Sequence, residues 1–129
     1  TVTARDNGQV QQHIEILLAD GTTRLKAAIT AQSGERLGLD EGKEVLVLLK
    51  APWVAVTRDA ERAKAADNQL QGTIQRIERG EAQCEVLMTL PDGQVLCATV
   101  ALSEAHELEE GAVVTAYFNA DRVIIATLC

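Results

Sequence analysis

Near the start of the chain apolar side chains fall in steps of two, at Val10, Ile14, Ile16 and Leu18 and, beyond Asp20-Gly21, at Leu25, Ala27 and Ile29. A period of two marks strands with one buried face, and Asp-Gly between two such runs predicts a hairpin. Residues 31–38 break the alternation, set Ser33 four positions before Leu37 and end at Gly38. This predicts one or two helical turns capped by Thr30 or Ser33. Gly42 then leads into Val45, Val47 and Leu49, and Ala51-Pro52 turns the chain into Val54 and Val56.

The pattern occurs twice. At a spacing of 72, Gly8 falls on Gly80, Ile14, Ile16 and Leu18 on Val86, Met88 and Leu90, and Asp20-Gly21 on Asp92-Gly93. After a gap the spacing becomes 69, and Gly42, Val45, Leu49, Val54 and Val56 fall on Gly111, Val114, Phe118, Val123 and Ile125. The second copy predicts strands near 72–79, 82–90, 94–102, 112–119 and 122–127, with a helical turn near 103–109. Five short strands with a helical turn between the third and fourth match a partly open OB-type barrel. The expected fold is therefore all-β, two tandem OB-like five-stranded barrels, each with a short helical turn: residues 1–64 hold the first and a linker, residues 65–129 the second. Arg58 to Ala65, charged and alanine-rich, is the linker and predicts at most a short solvated helix.

Composition narrows the function. The chain has 129 residues, 47% of them apolar, which suits two small units packed on each other or on a second chain. A net charge of -7 with one Trp, one Tyr and one Phe disfavours a general nucleic-acid surface, which needs a basic face and stacking platforms. The cysteines, Cys84, Cys97 and Cys129, are odd in number and lack metal-ligand spacing, so a reducing cytoplasm is expected, without a disulfide framework or a zinc site. No run approaches a membrane span. The chain opens abruptly without methionine, as a fragment or processed piece is expected to.

Function is sought where the copies differ. The first carries Ile29-Thr30-Ala31-Gln32-Ser33-Gly34 and Lys50; the second has Ala101-Leu102-Ser103 and Asn119 there, with Leu102 set opposite Thr30. Hydroxyls at the start of a helical turn, with an ammonium nearby, make a donor-only set suited to an oxyanion. The alternative is that Thr30 or Ser33 simply caps the turn and Lys50 is a solvated charge.

The run from Ile29 through Ser33, Leu37-Gly38-Leu39, Gly42-Lys43, Lys50 and Val54 resembles the Mop family of molybdate-binding domains. Ala66-Asp67-Asn68-Gln69-Leu70-Gln71-Gly72 is similar to that family's signature, typically Ser-Ala-Arg-Asn-Gln-Leu followed shortly by Gly. With Tyr117 to Asp121 and Ile124 to Cys129, nearly the whole chain resembles the C-terminal tandem Mop (di-Mop) domain of molybdate-responsive transcriptional regulators. The resemblance implies a non-enzymatic sensor that binds molybdate or tungstate at a homodimer interface and reaches DNA only through an N-terminal domain outside this chain. It carries over the ligand roles onto Thr30, Ser33 and Lys50, with backbone amides near Ser33, Gly34 and Ala51 as further donors. The signature's Ser and Arg ahead of the first copy would lie before Thr1. In the second copy those places hold Ala65 and Asp67, and a carboxylate repels a dianion, so that copy is expected to hold no ligand. A molybdate storage protein or the regulatory domain of a molybdate importer ATPase is the alternative reading, and an OB-fold oligonucleotide binder a third. A donor-only pocket disfavours hydrogen phosphate, which carries a proton, and pocket size disfavours sulfate.

His13 and His106 lack a partner at a telling spacing, and Cys84 and Cys97 fit as small core residues. The acidic run Glu104 to Glu110 is expected to be a solvated face and Trp53 a packing or interface anchor.

Overall fold

Ten strands emerge from the repeated pattern in the computed structural model, which describes residues 1–6, 11–18, 21–39 and 41–127; Gly8, Val10, Asp20 and Cys129 lie outside these. They are β1 (Val2–Asp6), β2 (Gln11–Leu17), β3 (Arg24–Thr30), β4 (Val45–Leu48), β5 (Ala55–Thr57), β6 (Asn68–Arg79), β7 (Gln83–Thr89), β8 (Val95–Ala101), β9 (Val113–Phe118) and β10 (Ile124–Thr127). Two short α-helices, α1 (Ala31–Leu37) and α2 (Ala60–Ala63), and three 3-10 turns join them. Both expected helical turns are present: the first is α1, and the second a 3-10 turn over Leu102–Glu107.

The chain forms two compact units, Thr1–Leu49 with Asn119–Cys129, and Lys50–Phe118. In the first, β1, β2 and β3 form an antiparallel sheet in sequence order, and β4 pairs with β10 from Val45↔Thr127 to Leu48↔Ile124. The alternation does what a period of two requires: Ile14 faces Ala27 and Ile16 faces Leu25 across the ladder, all four buried with Val2 and Leu39. Val2 N–H donates to Lys43 O and Gly42 N–H to Val2 O, each at 2.9 Å, tying β1 to the segment that leads into β4.

In the second unit the strand order is β5-β9-β6-β7-β8. Its core is Val54, Leu70, Ile74, Val86, Met88, Ala98, Val114, Ala116 and Phe118. The same tie recurs, with Ile74 N–H to Ala112 O and Gly111 N–H to Ile74 O, as does the bulge of β1 between Val2 and Ala4, here in β6 between Ile74 and Arg76. The all-β, OB-like, doubled architecture is thus as the sequence pattern implies.

Three particulars differ from the sequence reading. The compact units cut across the repeat boundary at residues 64 and 65, because the copies exchange their last strands: β5, from the first copy, pairs with β9, and β10, from the second, pairs with β4. Like repeats have interchangeable strand patterns, so periodicity cannot assign partners between them. β6 starts at Asn68 rather than near 72, since Asn68 to Gly72 pairs with Phe118 to Val114. α2 is capped by the Asp59 carboxylate accepting Glu61 N–H at 3.0 Å, and Ala63 is buried, so one side of the linker helix packs rather than facing solvent.

Candidate functional site

Thr30 ends β3 in extended backbone, φ -74° and ψ 151°, and is the N-cap of α1. Its Oγ1 accepts Ser33 N–H at 3.1 Å, and its hydroxyl donates to Ser33 Oγ at 2.9 Å. Capping and a ligand role are therefore not rival readings: the cap sets two hydroxyls side by side at the mouth of the helix. The Ser33 side chain makes no other hydrogen bond among the described residues, and its O–H remains free to donate. The open amides by helical position are Ala31 and Gln32, because Ser33 N–H is capped and Gly34 is the first residue able to reach back to Thr30 C=O. Gly38, with φ 65°, closes the helix in the left-handed region.

Beneath the first turn lies a contact that sequence reasoning missed. Arg5 Nε donates to Gln12 Oε1 at 2.8 Å, and Gln12 is only 5% exposed. Gly34 is buried on this pair: a β-carbon there would stand 2.6 Å from Gln12 Oε1 and 2.9 Å from an Arg5 terminal nitrogen.

Lys50 and Ala51 open the second unit. Lys50 caps the 3-10 turn Ala51–Trp53 through its backbone, its carbonyl accepting Trp53 N–H at 2.9 Å. Its ammonium lies 4.8 Å from the centre of the Trp53 ring, is exposed and makes no ion pair among the described residues. The structure thus brings Thr30, Ser33 and Gly34 together in one unit and sets Lys50 and Ala51 as neighbours in the other.

The second copy has the scaffold without the chemistry. Asn119 heads the 3-10 turn Ala120–Arg122 with the backbone bonds that Lys50 makes, Arg122 N–H to Asn119 O at 3.0 Å. The residue in Thr30's place is Ala101, not Leu102: the turn before β8 is one residue shorter, so buried Leu25 and Ala27 of β3 answer to Leu96 and Ala98 of β8. Ala101 offers no side-chain cap. A cleft of about 580 Å³ beside Trp53 in the second unit is lined by Arg58, Arg62 and His106 but also by Glu104 and Glu107, a mixed set that does not select a dianion. Among the described residues no group of three or more His, Cys, Asp or Glu is placed to hold a metal ion, and no helix is long and apolar enough to cross a membrane.

The TOBE domain matches residues 1–56 and again 64–125. The DNA-binding transcriptional dual regulator ModE of Escherichia coli (strain K12) is 71% identical over 129 residues, all of this chain and 49% of that protein. The transcriptional regulator ModE of Yersinia pestis is 57% identical over 131 residues, all of this chain and 50% of that protein. The chain thus spans about half the length of these curated relatives. Among solved structures, the cytoplasmic molybdate-binding protein ModG with molybdate bound superposes with a TM-score of 0.94 at 35% identity, covering 99% of this chain and 92% of that one.

Proposed function

The chain belongs to the TOBE domain family, and from that premise we propose that it is the ligand-sensing part of a molybdate-dependent transcriptional regulator. Molybdate or tungstate is the ligand. Ser33 donates its free hydroxyl hydrogen to an anion oxygen, and Thr30 does the same by turning its own away from Ser33 Oγ. Lys50 supplies charge, and the open backbone amides of Ala31 and Gln32, next to Ser33 and Gly34, complete the donor set with that of Ala51. The observation that carries this reading is the hydroxyl pair at 2.9 Å, present in the first copy and replaced in the second. Likeness to regulators named ModE and to molybdate-bound ModG supplies the anion's identity.

The working unit is a cytoplasmic, non-enzymatic homodimer that engages DNA through a part of the full protein outside this chain. Support for self-association comes from one face of the β4–β10 ladder, where Leu46, Leu48 and Ile124 stand 48%, 51% and 37% exposed. A dianion held among donors contributed by two chains would couple occupancy to dimer geometry, and so to the spacing of any DNA-contacting parts. The near-complete coverage of ModG favours a second reading, a molybdate carrier without DNA binding.

Calorimetric titration of the full chain with molybdate and sulfate tests the site. Molybdate binding that Lys50→Ala and Thr30→Ala each weaken, with no sulfate binding, supports it; equal affinity for the two anions would sink it. A gel shift of the longer protein that carries this chain against operator DNA, with and without molybdate, separates regulator from carrier.

A further inference from the structure

Arg5, Gln12 and Gly34 form a polar brace under the helix that carries Thr30 and Ser33, and we infer that its role is to position those hydroxyls for the anion rather than to stabilise the fold. The inference rests on the proposed oxyanion site and deepens it. Glycine inside a helix costs roughly 0.5–1 kcal/mol relative to alanine, so Gly34 is held there for a reason other than helix formation. Space is that reason, since the Gln12 amide oxygen and the Arg5 guanidinium occupy the volume of a β-carbon.

The doubled chain supplies an internal control. In the ladders Arg5 pairs with Ile14 as Ile77 pairs with Val86, so Ile77 holds Arg5's place. Cys84, fully buried, holds that of Gln12 on the preceding register, and Ala105, also fully buried, holds that of Gly34 one turn into the second copy's 3-10 segment. The same scaffold therefore packs with isoleucine, cysteine and alanine. The fold does not require the polar set; only the copy that bears Thr30, Ser33 and Lys50 has it.

Burying an amide and half-burying a guanidinium is unfavourable unless their hydrogen bonds are made, and the Arg5–Gln12 bond at 2.8 Å makes one of them. What the brace adds over an apolar contact is direction. An isoleucine or cysteine can slide against a helix, whereas a bonded amide–guanidinium pair fixes the height and rotation of the turn it touches. Arg5 and Gln12 are thus positioning residues, and they act on the ligand through Gly34 and Ser33.

The experiment exchanges the brace for its counterpart in the second copy, as Arg5→Ile, Gln12→Cys and Gly34→Ala together in the full chain. Molybdate affinity is measured by calorimetry well below each variant's unfolding midpoint, with Thr30→Ala as the site control. The expected result is an unfolding midpoint close to wild type and molybdate affinity weakened by about tenfold or more. A companion set, Gly34→Ala and Gln12→Ala singly and combined, is expected to weaken binding non-additively, since Gln12→Ala vacates the space that the β-carbon added by Gly34→Ala needs. If the triple variant fails to fold, this set decides the question by the same criterion. Wild-type affinity in the brace variants alongside lost affinity in Thr30→Ala would overturn the brace. Thr30→Ala binding as wild type would instead overturn the site itself.

Discussion

The Lys50 ammonium stands 4.8 Å from the centre of the Trp53 ring, and Trp53 is the only tryptophan of the chain. An exposed cation over a ring is held by about 0.5–1 kcal/mol, less than a charge-assisted hydrogen bond to a dianion, so a ligand held by Lys50 as proposed would draw the ammonium away. Tryptophan emission should therefore change on adding molybdate and stay constant on adding sulfate. Lys50→Ala should remove the response; a full response in that variant would show that Lys50 does not meet the ligand.

Thr30 both caps α1 and offers a donor, and three substitutions separate the roles. Thr30→Ser keeps both and should behave nearly as wild type. Thr30→Val loses both, and thermal unfolding should show a loss of about 1 kcal/mol, the usual worth of an N-cap. Thr30→Asp keeps a capping oxygen and has no donor, so stability should hold while calorimetric affinity for molybdate falls. Equal affinity in Thr30→Asp and wild type would reduce Thr30 to a cap.

How far the fold and site were legible in the sequence follows from what periodicity encodes. Alternation placed the hairpin of β2 and β3 and Gly38 the end of α1, because these depend on local backbone geometry. Exchange of β5 and β10 was not legible, since Val54-Ala55-Val56 and Val123-Ile124-Ile125 carry equivalent apolar patterns and either fits either partner. Within the proposed site, Thr30 and Ser33 stand out as hydroxyls at a helix start, and Lys50 as a charge the second copy lacks. Arg5 gave no such signal, since a polar residue at a strand position normally means solvent. Gln12 falls on the inward register of Val10, Ile14 and Ile16, and alternation alone does not say why a polar side chain stands there. The signal present was their exchange for Ile77 and Cys84, which becomes telling only once the ladders set the register.

Gly72 and Gly34 both lack room for a β-carbon, but for different reasons. At Gly72 the obstacle is backbone, with Thr89 O at 2.7 Å beside Met88 Cε at 2.7 Å; at Gly34 it is the ends of two side chains. Backbone in a paired ladder cannot move alone, so Gly72→Ala should destabilise the protein by about 1–3 kcal/mol. Gly34→Ala should cost less stability. Chemical denaturation of both variants checks the order, and a smaller loss at Gly72 would contradict it.

Glu15 is held below its ordinary pKa of 4.5, chiefly by the Arg24 guanidinium 2.5 Å away and then by the Thr3 hydroxyl. A carboxyl with a depressed folded-state pKa contributes stability above its unfolded value, and the contribution is lost as pH falls through the folded one. The Arg24–Glu15 pair should therefore support β2 and β3 at neutral pH and fail only in acid below 4.5. Carboxyl chemical shifts followed through an acid titration should place the Glu15 midpoint low, and Arg24→Ala should raise it. An unchanged midpoint in that variant would assign the shift to another group.

Strand exchange makes a directional prediction about the end of the chain. Removing Asn119–Cys129 takes away β10, the partner of β4, together with Ala120 and Val123, which are 4% and 5% exposed in the first unit's core. The second unit, Lys50–Phe118, keeps all five of its strands. The shortened chain should therefore lose amide hydrogen-exchange protection in β2 and β3, far from the cut in sequence, while β6, β7 and β8 stay protected. If each copy instead closed on its own last strand, the loss would fall on β6 and β9 and spare the first copy. The two outcomes are opposite because the deleted residues belong by sequence to one repeat and by pairing to the other.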